Sequence, residues 1–198
     1  MKVVNLVASA KHEPNYLDGD FIGVDRGSEY LYDLNIKMVA MIGDFDSIDI
    51  NVLTNLKNDG NNIVQLNVVK DNTDLDEAIK YAYSLGYEQI NIYGALGQRV
   101  DHTLTNINLL KKNRDVILYD DYSCIKILKA GQHLLEKDKF NFVSFYAIEN
   151  DTKISLINFK YPLNNYSLLF DDTLCISNEI KDNAQIKCNK DIIVVLSR

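Results

Sequence analysis

Apolar positions in the first 120 residues come in short unbroken runs. Between the runs they recur every three or four places. Val3 to Ala8, Phe21 to Val24, Val39 to Ile42, Ile63 to Leu66, Gln89 to Tyr93 and Val116 to Tyr119 are runs of strand length. Leu75, Ala78, Ile79, Ala82 and Leu85 share one face of a helix, with Thr73 or Asp71 as its N-cap and Gly86 just past its end. Ile50, Leu53 and Leu56 mark a second helix, and Leu104, Ile107 and Leu110 a third. Apolar strands alternating with helices predict a parallel sheet covered on both faces, a Rossmann-like α/β domain.

After Asp121 the helical period fades. Cys124 to Leu128, Phe140 to Ala147, Lys153 to Phe159, Tyr166 to Phe170 and Ile192 to Leu196 are short runs. Turn signals separate them at Gly131, Lys137-Asp138, Glu149-Asn150-Asp151, Asn164-Asn165 and Asp171-Asp172. Evenly spaced strands with such turns predict a β-sandwich. The change of texture divides the chain into an α/β domain over residues 1–122 and a β-sandwich over residues 123–198.

Composition narrows the function. Of 198 residues, 46% are hydrophobic and 25% charged, which suffices to bury a core. The formal net charge of −7 argues against a nucleic-acid partner. It leaves nucleotides open, because a bound cation reverses the local sign. No apolar run approaches the ~18 residues of a membrane span. Residues 1–10 have the look of a short signal peptide, but Asn5 interrupts the run and a first strand fits better. Cys124, Cys175 and Cys188 are odd in number and form no CxxC, which points to a reducing cytoplasm and no zinc site.

The polar groups that stand out follow predicted strands. Asp25 comes after the second, Gly43-Asp44-Phe45-Asp46-Ser47 after the third, Asp71-Asn72-Thr73-Asp74 after the fourth, and Gly94 to His102 after the fifth. Parallel sheets bind ligands outside the carboxyl ends of their strands. Gathered carboxylates need a compensating cation, and hard oxygen ligands suit Mg²⁺, which completes its shell with substrate phosphates. Bland readings stand beside this. Asp46 or Ser47 suits a helix cap, and Asp71 and Asp74 suit a cap and a first-turn acid. His102 suits a helix start as well as acid–base work. Arg99 is the natural cation for phosphate oxygens. His12 and His133 read as surface residues.

Gly23-Val24-Asp25-Arg26-Gly27, Ile42-Gly43-Asp44-Phe45-Asp46-Ser47-Ile48, Asp71-Asn72-Thr73-Asp74 and Gly94-Ala95-Leu96-Gly97-Gln98-Arg99-Val100-Asp101-His102 with Asn106 resemble, in order, the motifs of thiamine pyrophosphokinases. Tyr161-Pro162-Leu163 and Ser177-Asn178-Glu179 resemble that family's C-terminal signatures. The chain departs from the pattern at Met38-Val39, at Gln98 and in having no tryptophan. The resemblance implies transfer of a diphosphate group from ATP to thiamine, giving AMP. It also implies a homodimer whose active site is shared between subunits. It assigns Asp44, Asp46, Asp71 and Asp74 to Mg²⁺ and the phosphates, with Arg99 on phosphate oxygens. Asp25, Thr73, Gln98, Asp101 and His102 would line the cleft or orient the nucleotide. Ser177 and Asn178 would contact thiamine. Two other classes stay open. A haloacid-dehalogenase-like phosphatase expects a Thr where Ile48 stands. A non-catalytic nucleotide or thiamine sensor would share the fold.

Overall fold

A computed structural model describes residues 1–12, 15–69, 71–97, 99–137 and 139–198. The chain forms two units, residues 1–109 with 115–121 and residues 110–114 with 122–198. The expected fold class holds: a parallel α/β region precedes an antiparallel β-sandwich.

The first unit runs β1 (Val3–Val7), β2 (Asp20–Val24), α1 (Gly27–Asp33), β3 (Ala40–Gly43), α2 (Ile50–Asn58), β4 (Ile63–Gln65), α3 (Asp74–Ser84), β5 (Gln89–Tyr93), the start of α4 (Val100–Lys112) and β6 (Val116–Tyr119). Its strands lie in the order β4-β3-β2-β1-β5-β6, and every neighbouring pair is parallel. The winding direction reverses between β1 and β5, the kind of switch point where such sheets open a crevice. Helices cover both faces, so Val4, Leu6, Ile22, Ile90 and Ile92 are fully buried. On one side Leu31 of α1 and Leu53 and Leu56 of α2 pack with Val7 and Met41.

Local chemistry sets the helix ends. Thr73 Oγ1 accepts from Asp76 N at 3.2 Å, which makes Thr73 the cap of α3. At the other end Gly86 has φ +79°, while Gly86 N and Tyr87 N donate to Tyr83 O and Ala82 O. Asp49, rather than Asp46 or Ser47, caps α2; its carboxylate accepts from Asn51 N and Val52 N at 2.8 and 3.3 Å. Helix α1 was not legible in the sequence. It has seven residues, too few for a period to register.

Asn5, the polar interruption of the first run, pairs across the sheet with Asn91. Both are buried, at 0% and 1% exposure. Asn91 Nδ2 donates to Asn5 Oδ1 at 3.0 Å, and Asn5 Nδ2 donates to Leu17 O at 2.8 Å. Gln89 Nε2 donates to Asn91 Oδ1 at 3.1 Å. The pair therefore tethers the segment after β1 to the centre of the sheet.

The second unit contains β7 (Ser123–Leu128), β8 (Gly131–Leu135), β9 (Phe142–Ala147), β10 (Thr152–Phe159), β11 (Leu163–Leu168), β12 (Ile180–Cys188) and β13 (Ile192–Ser197). Strands β7-β13-β9 form one antiparallel layer and β11-β10-β12-β8 the other. Phe145, Ile192 and Val194 meet Leu156, Phe159 and Ile186 in a shared core. Strands β8 and β12 were not expected, because Gly131 reads as a turn and Lys181-Asp182-Asn183 mask the alternation of Ala184, Ile186 and Cys188. The run expected from Tyr166 to Phe170 is displaced; β11 ends at Leu168, and Leu169 and Phe170 are exposed. Asn164 and Asn165, expected as a turn, lie inside β11. Asp138 of the expected Lys137-Asp138 turn lies outside the described residues. Cys124, Cys175 and Cys188 are buried thiols. Burial pushes the Cys175 thiol up to about 11 and also raises Cys188. Among the described residues no helix is long and apolar enough to cross a membrane.

Asn91→Val should destabilise the protein by ~1–3 kcal/mol, because it leaves a buried amide oxygen without its donor. Asn5→Val should cost about as much by releasing Leu17 O. In urea unfolding the double variant should cost clearly less than the sum. Additive costs would show that the two amides act independently.

Candidate functional site

The site begins where β2 and β3 run out. Asp25 follows β2 with φ +47°, and β3 ends at Gly43 with φ +156°. A Cβ on Gly43 would collide with Asp25 Oδ1, so the carboxylate fills the space that a side chain would occupy. Two residues on, Phe45 has φ +60°, a left-handed conformation that is costly for a bulky residue. Its ring is 5% exposed and packs in the cluster of Leu31, Met41, Ile48 and Leu53. With the ring turned inward, Asp44 is half-buried at the cavity wall and Asp46 is exposed. Asp46 N donates to Asp44 Oδ1 at 3.3 Å, and Gln65 Nε2 braces Asp44 O at 2.9 Å.

A cavity of about 760 Å³ opens at this edge of the first unit. Asp25, Asp44, Thr73, Asp74, Arg99 and His102 all line it. Asp46, Asp71 and Asp101 are not in its wall, and Gln98 lies outside the described residues. Asp74 opens α3, so it is a first-turn acid as well as a cavity residue. Asp101 is engaged with Arg99: Nη2 meets Oδ2 at 2.6 Å, with both side chains about two-thirds exposed at 69% and 64%. That hydrogen bond holds the Asp101 carboxyl below its usual range. The turn after β5 is held from α4. Asn106, 6% exposed, donates to Ala95 O at 2.7 Å, and Thr103 Oγ1 accepts from Gly97 N at 3.2 Å.

Sequence reasoning missed the wall built by the segment after β1, where Ser9 and Lys11 line the cavity. Neither carries a motif; only their place beside the β1–β5 switch point could have singled them out. His12, expected at the surface, is half-buried. Its Nδ1 contacts Ala10 O at 2.8 Å and its Nε2 contacts Tyr16 Oη at 3.0 Å. His133 lies in β8, with Nε2 against Lys129 O at 2.8 Å.

In the second unit Ser177 is exposed with φ +53°, and its N donates to Ser144 Oγ at 3.0 Å. Asn178 is buried and its amide is engaged at both ends. Oδ1 accepts from Tyr161 N at 3.0 Å and Glu179 N at 2.9 Å, while Nδ2 donates to Tyr161 O at 2.8 Å. Ser177 is thus the member of the pair that faces solvent. A hollow of about 780 Å³ also lies in this unit, against Ser155, Gln185 and Lys187. Among the described residues no carboxylate lines it, so the acid-rich chemistry belongs to the first unit's cavity.

The chain is similar to known proteins along most of its length. Residues 11–119 match the model of the thiamin pyrophosphokinase catalytic domain, and residues 132–193 match the thiamin pyrophosphokinase vitamin B1 binding domain. Thiamine pyrophosphokinase of Bacillus subtilis is 36% identical over 193 residues, covering 91% of this chain and 90% of the relative. A crystal structure of the Bacillus subtilis enzyme superposes with a TM-score of 0.90 at 34% identity over 99% of both chains. That of the Geobacillus thermodenitrificans enzyme superposes with a TM-score of 0.87 at 26% identity, over 99% of this chain and 97% of that one.

The close approach of Asp25 to Gly43 can be tested. Gly43→Ala should lower stability by about 1–3 kcal/mol through overpacking and backbone strain. Asp25→Ala in the same chain should recover much of that loss, because it vacates the colliding carboxylate. No recovery in thermal or urea unfolding would mean that the two residues do not compete for one space.

Proposed function

The chain belongs to the thiamine pyrophosphokinase family, and on that premise we propose that it transfers the diphosphate group of ATP to the hydroxyethyl oxygen of thiamine, releasing AMP. The observation that carries the reading is the meeting of Asp25, Asp44 and Asp74 with Arg99 in one cavity at the carboxyl edge of a parallel sheet. Such transfers rest on positioning and charge neutralisation more than on covalent help from the protein.

The residues fit Mg²⁺ as the metal. Asp44 and Asp74 present hard carboxylate oxygens to one cavity. Among the described residues no three acidic, histidine or cysteine side chains close into a ready cage. Mg²⁺ suits such a site, since one or two carboxylates hold it and phosphates and water complete its shell. Asp46 and Asp71 support the set from the same two loops. When bound, the ion would neutralise charge on the phosphate oxygens as the diphosphate moves. A carboxylate of this group accepts the proton of the thiamine hydroxyl. Arg99 steadies phosphate oxygens, with Asp101 orienting its guanidinium. Thr73, Gln98 and His102 orient the nucleotide, and Asp25 attracts the cationic thiazolium.

Residues 1–122 supply this catalytic machinery in the proposal, and residues 123–198 bind thiamine and form a homodimer interface. Ser177, exposed in a left-handed conformation, contacts thiamine from the partner subunit, and Asn178 holds it in place. Three buried cysteine thiols accord with a cytoplasmic enzyme. Neither nucleic acid nor membrane is a partner.

Incubation with thiamine, ATP and Mg²⁺ should yield AMP and thiamine diphosphate in equal amounts, and chelation should stop the reaction. Stoichiometric ADP would overturn the proposal. Asp44→Asn and Asp74→Asn should each cut turnover by ~10²-fold or more while the unfolding midpoint stays near that of the parent. Unimpaired turnover in either variant would remove that residue from the chemistry.

A further inference from the structure

We infer that Lys11 is a phosphate-binding residue of this cavity, held in place by the ring of His12. The inference rests on the nucleotide reading above and adds a group to it. Three cations line the cavity: Lys11, Arg26 and Arg99. Two already face carboxylates. Arg26 Nε stands 3.6 Å from Glu29, and Arg99 holds Asp101 at 2.6 Å. Among the described residues Lys11 has no acidic partner. Three carboxylates, from Asp25, Asp44 and Asp74, share the same wall. A polyphosphate entering beside them meets repulsion unless positive charge faces it, and a lysine ammonium serves such a ligand as a compact point charge.

The backbone on either side of Lys11 is fixed. Ahead of it, Ala8 N donates to Tyr93 O at 2.8 Å and Ala10 N to Gly94 O at 2.9 Å, so the segment after β1 stays bound to the end of β5. Tyr30 Oη donates to Ser9 O at 3.1 Å. Behind it, His12 is tied at both ring nitrogens. Ala10 O can only accept, so Nδ1 carries the proton; in the neutral ring Nε2 then accepts from Tyr16 Oη. The ring also stacks near Tyr93, with centroids 6.3 Å apart. Tyr16 is pushed up to about 12 by burial, so its hydroxyl remains a donor. This scaffold presents an ammonium that has no acidic partner among the described residues at the switch point between β1 and β5, where a parallel sheet offers its crevice.

Isothermal titration of the full chain with ATP and Mg²⁺, and separately with thiamine, tests the assignment. Lys11→Met should weaken ATP binding roughly tenfold or more, the scale of a charge-assisted contact. Thiamine binding should change less than about twofold, and Lys11→Arg should recover most of the ATP affinity because it keeps the charge. Parent-like ATP affinity in Lys11→Met would overturn the inference. So would an equal loss for both ligands, which would mark a general structural role. If the parent chain itself fails to bind ATP, the nucleotide reading falls first and the role of Lys11 with it.

Discussion

The cavity depends on one costly piece of backbone, the left-handed turn at Phe45. A residue of that size avoids positive φ, and the conformation costs on the order of 1–2 kcal/mol. Burial of the ring in the core of α1 and α2 offsets this, since fully burying a phenylalanine contributes about 1.5–3 kcal/mol. The exchange decides where the neighbours go. With the ring pointing inward, Asp44 is left at the cavity wall, and Gly43 can close on Asp25 only because it has no side chain. Hydrophobic packing beneath the loop thereby fixes the carboxylates above it.

The same economy explains what could be read from the sequence and what could not. Long periodic elements such as α3 were legible because burial repeats along them and capping residues mark their ends. The carboxylate loops were legible because Asp, Gly and Thr after an apolar run are unusual enough to notice. Helix α1 was too short to show a period. Strand β12 was hidden because its outward face is charged, and β11 because its apolar residues and its asparagines share one strand. The wall around Ser9 and Lys11 was illegible for a different reason. No residue type there is distinctive, and its position emerges only once β1 and β5 are neighbours in space.

Charge in the cavity is arranged by pairing as well as by number. Asp101 is held below its usual carboxylate range by Arg99 and in turn holds that cavity-lining guanidinium. Glu29 does much the same to Arg26 at longer range. Exposed pairs of this kind add little to stability. Their effect is on direction, because a guanidinium held by a carboxylate offers its remaining donors along a restricted set of angles. An acidic protein can in this way present ordered positive groups at one edge without becoming basic overall.

Two of the three cysteines are enclosed by the sandwich itself. Cys175 and Cys188 lie in the core between the two layers, and burial raises both thiols, Cys175 to about 11. Electrophiles and peroxides therefore find little thiolate at these two sulfurs while the sandwich is closed. Each opening of the layers would expose ordinary, reactive sulfur. The rate of thiol modification thus serves as a clock for the opening of the β-sandwich, with no added label and no loss of a catalytic group.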